Sequence, residues 1–186
     1  MRPLIDTPVT PNQLTTLRLA AGIAAAAALA VGDEAWRYAG AGIFVFSVVL
    51  DRADGELARL TGKTTPWGHS YDLVADLVSD VLIFIGLGLG LRDGGLGSWA
   101  VPLGVAAGAS VAAIFWLVMR IESLEGARAA ELKSYWGFDV DDAILLVPIA
   151  IWLGWSEPLL IAASIGAPVF AAFFFWMFRR RLRAAG

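Results

Sequence analysis

The chain has 186 residues, 58% hydrophobic and 17% charged, whereas soluble domains run at about 45–50% apolar and about 25% charged; an ordinary soluble domain is excluded. A net charge of −3 and a pI near 5.1 argue against nucleic acid as the main partner. With no cysteine and one histidine, His69, there is no disulfide framework, zinc–thiolate site, thiol nucleophile or multi-histidine metal centre, so a polar site must be built mostly from carboxylates.

The apolar residues fall into six stretches: Leu14–Val31, Trp36–Leu50, Leu73–Leu91, Trp99–Met119, Ala143–Trp155 and Pro158–Phe178. A helix crossing a bilayer needs about 20 apolar residues, and the first, third, fourth and sixth are long enough. Thr10-Pro11-Asn12 predicts a turn feeding the first helix. The three prolines between Arg2 and Asn12 make that segment unlike the start of a cleaved signal peptide, despite the small residues Ala26–Ala30. The second stretch spans only if its helix continues through the charged segment after Asp51. The fifth is short and needs residues before Asp142. Trp36, Trp67, Trp99, Trp155 and Trp176 are expected as interfacial anchors, and Arg179–Arg183 as an anchor at the lipid headgroups.

Charge sets the orientation. With the N-terminus in the cytoplasm, twelve of the 14 Lys and Arg residues fall on inside segments, and only Arg37 and Arg92 fall outside. The outside loops carry Asp33, Glu34, Asp93 and Glu157. These features predict an all-α, polytopic integral-membrane protein with six transmembrane helices and both termini cytoplasmic. It forms a single domain over residues 1–186, without repeats. The connections 51–72 and 120–142 then face the cytoplasm.

Between the second and third stretches, acids stand where apolar residues belong. Asp51 and Asp54 are three apart and share a helix face; Asp72, Asp76 and Asp80 are four apart and line one face of the next helix. Carboxylates at that depth cost several kcal/mol each unless paired or ligated. The cations nearest in sequence are Arg52, Arg59 and Lys63. Either some acids protonate or divalent cations sit between them. Oxygen-only ligands select Mg²⁺ or Mn²⁺ over zinc, and two such ions form the usual clamp for phosphoryl transfer. Gly55, Ala58 and Gly68 remove bulk beside the acids, which serves either close helix packing or approach of a ligand's phosphates. Arg59 is a fixed fork suited to a diphosphate.

The pattern Asp51-x2-Asp54-Gly55-x2-Ala58-Arg59-x8-Gly68-x3-Asp72-x3-Asp76 is similar to the complete signature of the CDP-alcohol phosphotransferases (CDP-alcohol phosphatidyltransferases), with every fixed position at the family spacing. Pro11-Asn12-x-Leu14-Thr15-x2-Arg18 resembles the family's approach to its first membrane helix. After Leu91 the likeness is one of general pattern only. The resemblance implies a membrane enzyme of phospholipid biosynthesis. A substituted phosphate passes from a CDP-alcohol, with CDP-diacylglycerol favoured as donor, to a small alcohol or lipid acceptor, and CMP leaves. It implies that Asp51, Asp54, Asp72 and Asp76 hold two divalent cations, Mg²⁺ or Mn²⁺. Asp76 is also the candidate base for the acceptor proton, and a base should be the most weakly ligated of the four. Gly55, Ala58, Arg59 and Gly68 would contact the nucleotide and diphosphate, with Asn12 and Thr15 reaching it from the first helix. A homodimer in a bacterial-type inner or plasma membrane, with its site facing the cytoplasm and membrane lipids around it, is the further expectation.

Several residues lie outside the signature. Asp80 and Arg120 are candidates for an acceptor pocket, or for an ion pair with each other. His69, beside Gly68, reads as a bystander more readily than a catalyst. Asp139, Asp141 and Asp142 would repel a phosphorylated acceptor and favour a neutral, zwitterionic or amine-bearing alcohol, unless they merely cap the fifth helix. The alternative function is a cation or proton transporter using the intramembrane aspartates. Against it, the acids cluster at one membrane face instead of lining a path across.

Overall fold

Thr10 opens the first helix through a capping box. Its hydroxyl accepts from the Gln13 N–H at 3.3 Å, and the Gln13 side chain accepts from the Thr10 N–H at 2.9 Å. Pro11 supplies the first turn, and helix α1 runs over Pro11–Val31 to Gly32, whose φ of 97° closes it in the left-handed region. The computed structural model describes residues 9–125 and 144–184, and no strand occurs among them.

Helix α2, Glu34–Thr61, is continuous through Asp51 and ends at Gly62. Its 28 residues reach about 42 Å, more than the ~30 Å hydrocarbon core. The condition set by the sequence for a second crossing is therefore met in length, though not in composition, since α2 is not among the helices apolar enough to span. Helix α3, Pro66–Gly90, repeats the start of α1: Thr65 caps it by accepting from the Gly68 N–H at 2.9 Å, and Pro66 follows. Turns and a short 3₁₀ segment lead to α4, Ala100–Glu125; then come α5, Leu146–Trp152, and α6, Ser156–Ala184.

Among the described residues, four helical segments are long and apolar enough to cross a membrane: Pro11–Val31, Pro66–Gly90, Gly97–Ile121 and Ser156–Arg179. The second predicted span is the amphipathic α2. Of the fifth, α5 covers only seven residues, and its expected beginning lies outside the described residues, as do Asp139, Asp141 and Asp142. Exposed apolar side chains such as Ile165, Val169 and Phe173 lie along the outer face of α6, where lipid would cover them. Trp36, Trp99 and Trp155 are exposed at one end of the bundle, and Trp67 is exposed at the other. Trp176 is exposed on the last part of α6, with the Arg179 guanidinium 5.4 Å over its ring.

α1 packs between α2 and α3; α3 also meets α4, α4 meets α6, and α2 meets α5. Leu29, Phe44, Ile83, Leu87, Ile151 and Leu160 form the core among them. Lipid is as apolar as leucine, so helices in a membrane gain most from close backbone approach. Glycines provide it here. A Cβ on Gly86 would collide with the Ala26 carbonyl of α1, and one on Gly88 would stand 2.7 Å from the Ala100 carbonyl of α4. At the far end from Asp51, the Glu157 carboxylate accepts the Gly95 N–H at 2.7 Å, tying α6 to the loop after α3.

Gly86→Val is expected to lower the unfolding temperature in detergent by several degrees, because overpacking costs about 1–3 kcal/mol or more. Gly42→Ala, where a Cβ meets nothing within 4 Å, should leave it unchanged or raise it.

Candidate active site and metal centre

Helical periodicity places two stripes of residues at one end of the bundle. On α2, Asp51, Gly55 and Arg59 follow one another at four-residue steps; on α3, Gly68, Asp72, Asp76 and Asp80 do the same. α1 lies against both helices and inserts Arg18 between them. Its guanidinium is 2% exposed. Nη1 donates to Asp51 Oδ1 and, at 2.8 Å, to Asp76 Oδ1. Nη2 donates to the Asp72 carbonyl at 2.8 Å and stands 3.3 Å from Asp72 Oδ1. Ser47 of α2 fixes the α1 backbone at this point, donating to the Arg18 carbonyl at 3.0 Å.

One guanidinium offsets one of these charges. Carboxylate oxygens of Asp51, Asp72 and Asp76 lie within 4.8 Å of one another, and Asp72 Oδ1 is buried without a hydrogen-bond partner. A convergent, oxygen-only, net-negative set with an unused acceptor fits a hard divalent cation. The cations nearest in sequence are Arg52, Arg59 and Lys63; the structure places Arg18 at the centre instead. Arg18 is 33 and 58 residues from the aspartates it bonds, so no local pattern connects them. The available signal was an arginine set within the apolar run of α1, a costly placement that marks function.

Asp54 stands outside this group of three but within electrostatic reach of Arg18, Asp51 and Asp72. It is buried, and the Thr15 hydroxyl donates to its Oδ2 at 2.7 Å. Thr15, expected to reach a nucleotide, is thus engaged with Asp54. Asn12 stands at the start of α1 with its Oδ1 3.3 Å from where a Gly68 Cβ would be, so the first turns of α1 and α3 adjoin. Gly55 lies inside α2, yet a Cβ there meets nothing within 4 Å. Its small size serves no helix contact among the described residues. Arg59 is exposed and held by Glu56 at 3.0 Å; a surface pair of this kind is worth about 0–1 kcal/mol, so Arg59 is easily released to a ligand. Ala58 is half-buried on the turn between Gly55 and Arg59.

Asp80 is half-buried one turn beyond Asp76 and close enough for the two charges to act on each other. His69 is exposed within electrostatic reach of Asp72. Arg120 is exposed on α4, its carbonyl accepting from the Ser123 hydroxyl at 2.7 Å. Trp67, expected only as an anchor, also stacks on Tyr71 at 5.2 Å, and the Tyr71 hydroxyl is 3.0 Å from the Thr16 hydroxyl. The α3 stripe therefore opens beside an aromatic pair, Trp67 exposed and Tyr71 half-buried.

The family model for CDP-alcohol phosphatidyltransferases matches residues 8–176. The chain belongs to this family. It is 32% identical over 169 residues to a phosphatidylinositol phosphate synthase of Streptomyces avermitilis, covering 81% of this chain and 68% of that protein. It is 40% identical over 87 residues to a bifunctional IPC transferase and DIPP synthase of Rubrobacter xylanophilus, covering 47% of this chain but only 19% of that much longer protein. In fold it resembles the phosphatidylinositol phosphate synthase of Mycobacterium tuberculosis solved with manganese and citrate, at a TM-score of 0.71 and 22% identity over 94% of this chain and 86% of that one. The same enzyme solved with CDP-DAG bound also gives 0.71, over 94% and 90% of the two chains. Family membership, the apolar helices and the acidic group agree on a membrane-embedded, metal-binding transferase of phospholipid biosynthesis.

Thr15→Val is expected to strand the buried Asp54 carboxylate and cost about 1–3 kcal/mol, read as a lower unfolding temperature in detergent. Thr15→Ser, which keeps the hydroxyl, should recover most of it.

Proposed function

We propose that this protein transfers the phosphatidyl group of CDP-diacylglycerol to a hydroxyl of a small polyol phosphate, releasing CMP, at the cytoplasmic face of the membrane. The observation that carries this reading is the open space over Gly55 beside the convergent oxygens of Asp51, Asp72 and Asp76. A glycine inside a helix costs about 1 kcal/mol relative to alanine, and here no helix contact among the described residues offsets that cost. A flat, anionic ligand lying over Gly55 and Ala58 explains it, with Arg59 at one side and the aspartates at the other. The CDP-DAG complex of the mycobacterial relative supports the donor. The printed functions of the relatives support an inositol phosphate as acceptor, whereas Asp139, Asp141 and Asp142 favour a neutral alcohol.

In this reading Asp51, Asp72, Asp76 and, from the next turn of α2, Asp54 would hold two divalent cations, which would supply neutralisation of the diphosphate and orientation of its oxygens. Arg59 leaves Glu56 for the diphosphate. Asn12 and Gly68 border the nucleotide at the adjoining starts of α1 and α3, and Thr15 holds Asp54 in place. The acceptor oxygen bonds to the phosphorus farther from cytidine, the bond from that phosphorus to the CMP oxygen breaks, and Asp76 takes the acceptor's proton. Asp80, one turn deeper, and Arg120 are left for the acceptor side.

The aspartates gather at one end of the bundle, while Leu29, Phe44, Ile83 and Leu87 fill the interior between that end and the other. A packed apolar interior does not suit cation passage.

Purified protein in nanodiscs should release CMP from CDP-diacylglycerol with Mn²⁺ or Mg²⁺ and inositol phosphate, and EDTA should abolish the release. Inositol and glycerol, supplied in parallel, decide between phosphorylated and neutral acceptors. Asp76→Asn should lower the rate at least 100-fold. Gly55→Leu should keep the unfolding temperature and lose CMP release. An active Gly55→Leu enzyme would remove the observation on which the proposal rests, and no metal-dependent CMP release with any acceptor would count against the reaction itself.

A further inference from the structure

We propose that Arg18 is a built-in place-holder for metal: it bridges the carboxylates before metal arrives and competes with divalent cations for the same oxygens. This inference deepens the metal-site reading above and rests on it. Asp51 Oδ1 and Asp76 Oδ1 belong to the group positioned to hold an ion, and both accept from the one Arg18 Nη1. A donor hydrogen and a metal cannot occupy one lone pair. Asp72 Oδ1 is left without a hydrogen bond, so the bridge engages the cluster incompletely and leaves one acceptor ready for an ion.

Arg18 is also suited to hold the site together on its own. α2 and α3 each contribute carboxylates that repel one another, and three of these carboxylates meet on a guanidinium carried by a third helix. Its backbone is pinned by Ser47, and its second nitrogen takes the Asp72 carbonyl, fixing α3 in register. Arginine's planar fork serves several acceptors at once, which a lysine ammonium on a flexible stem does less well. Two consequences follow. Without metal, Arg18 stabilises the packing of α1 against α2 and α3. With metal, the same charge weakens ion binding, since a fixed positive group beside the ligand oxygens opposes a divalent cation.

A merely structural arginine has only the first of these effects, and the sign of the change in metal affinity separates the two. The experiment compares full-length wild-type protein, Arg18→Met and Arg18→Lys, all in detergent without nucleotide. Thermal unfolding is followed in EDTA and in Mn²⁺, and free Mn²⁺ is titrated by its electron paramagnetic resonance signal. Arg18→Met is expected to unfold several degrees lower in EDTA, to recover most of the loss in Mn²⁺, and to bind Mn²⁺ at least tenfold more tightly. Arg18→Lys, which keeps the charge and loses the fork, should show an intermediate Mn²⁺ affinity and be less stable than wild type in EDTA. If Arg18→Met unfolds in EDTA, it is purified in Mn²⁺ and the affinity is read by back-titration with a chelator. Unchanged or weaker Mn²⁺ binding in Arg18→Met, or equal destabilisation with and without Mn²⁺, overturns the proposal while the metal-site reading stands. Absence of any Mn²⁺ response in the wild type overturns both.

Discussion

Carboxylates held at the edge of a membrane must be neutralised where they stand, and the arrangement around Arg18 meets that constraint. Like charges drawn this close repel one another, so the acids need cations or donors among them. Asp54 has the Thr15 hydroxyl, whereas Asp51, Asp72 and Asp76 share one guanidinium. The deficit left by that sharing suits the cluster to a cation, and the third helix that carries Arg18 makes the arrangement a product of tertiary packing.

The rest of the bundle serves this meeting of three helices. Gly86 lets the α3 backbone lie against α1 at Ala26, and Gly88 admits α4 against the next face of α3. The capped starts of α1 and α3, at Thr10 and Thr65, are brought together with the polar last third of α2, so two helix N-termini and one charged segment share an end. Partial positive charge at helix N-termini favours anions, in keeping with the proposed diphosphate beside the acids. Gly55, like Gly42, differs from the packing glycines in facing open space.

Much of this was legible in the sequence. The four-residue spacing of Asp72, Asp76 and Asp80 and the three-residue spacing of Asp51 and Asp54 fix the faces of α2 and α3 once both are helical. The run after Asp51 left the second helix conditional, because charge lowers local hydropathy without breaking a helix; the absence of proline and the stop at Gly62 carry α2 through. The role of Gly55 was undecidable from sequence, since a small residue suits both a helix contact and a ligand; the space around it disfavours the helix contact among the described residues. Arg18 was legible only as part of the approach to the first span, because its partners lie on other helices. Trp67 was visible as an interfacial tryptophan, while its stacking on Tyr71 depends on side-chain conformation that spacing alone does not dictate.

The central claim is that Asp51, Asp72 and Asp76 converge on a divalent cation between α2 and α3. Anomalous diffraction at the manganese edge from crystals grown with Mn²⁺ tests it directly. The account predicts a peak within coordination distance of oxygens from all three residues. A peak elsewhere, or none at saturating Mn²⁺, would contradict it.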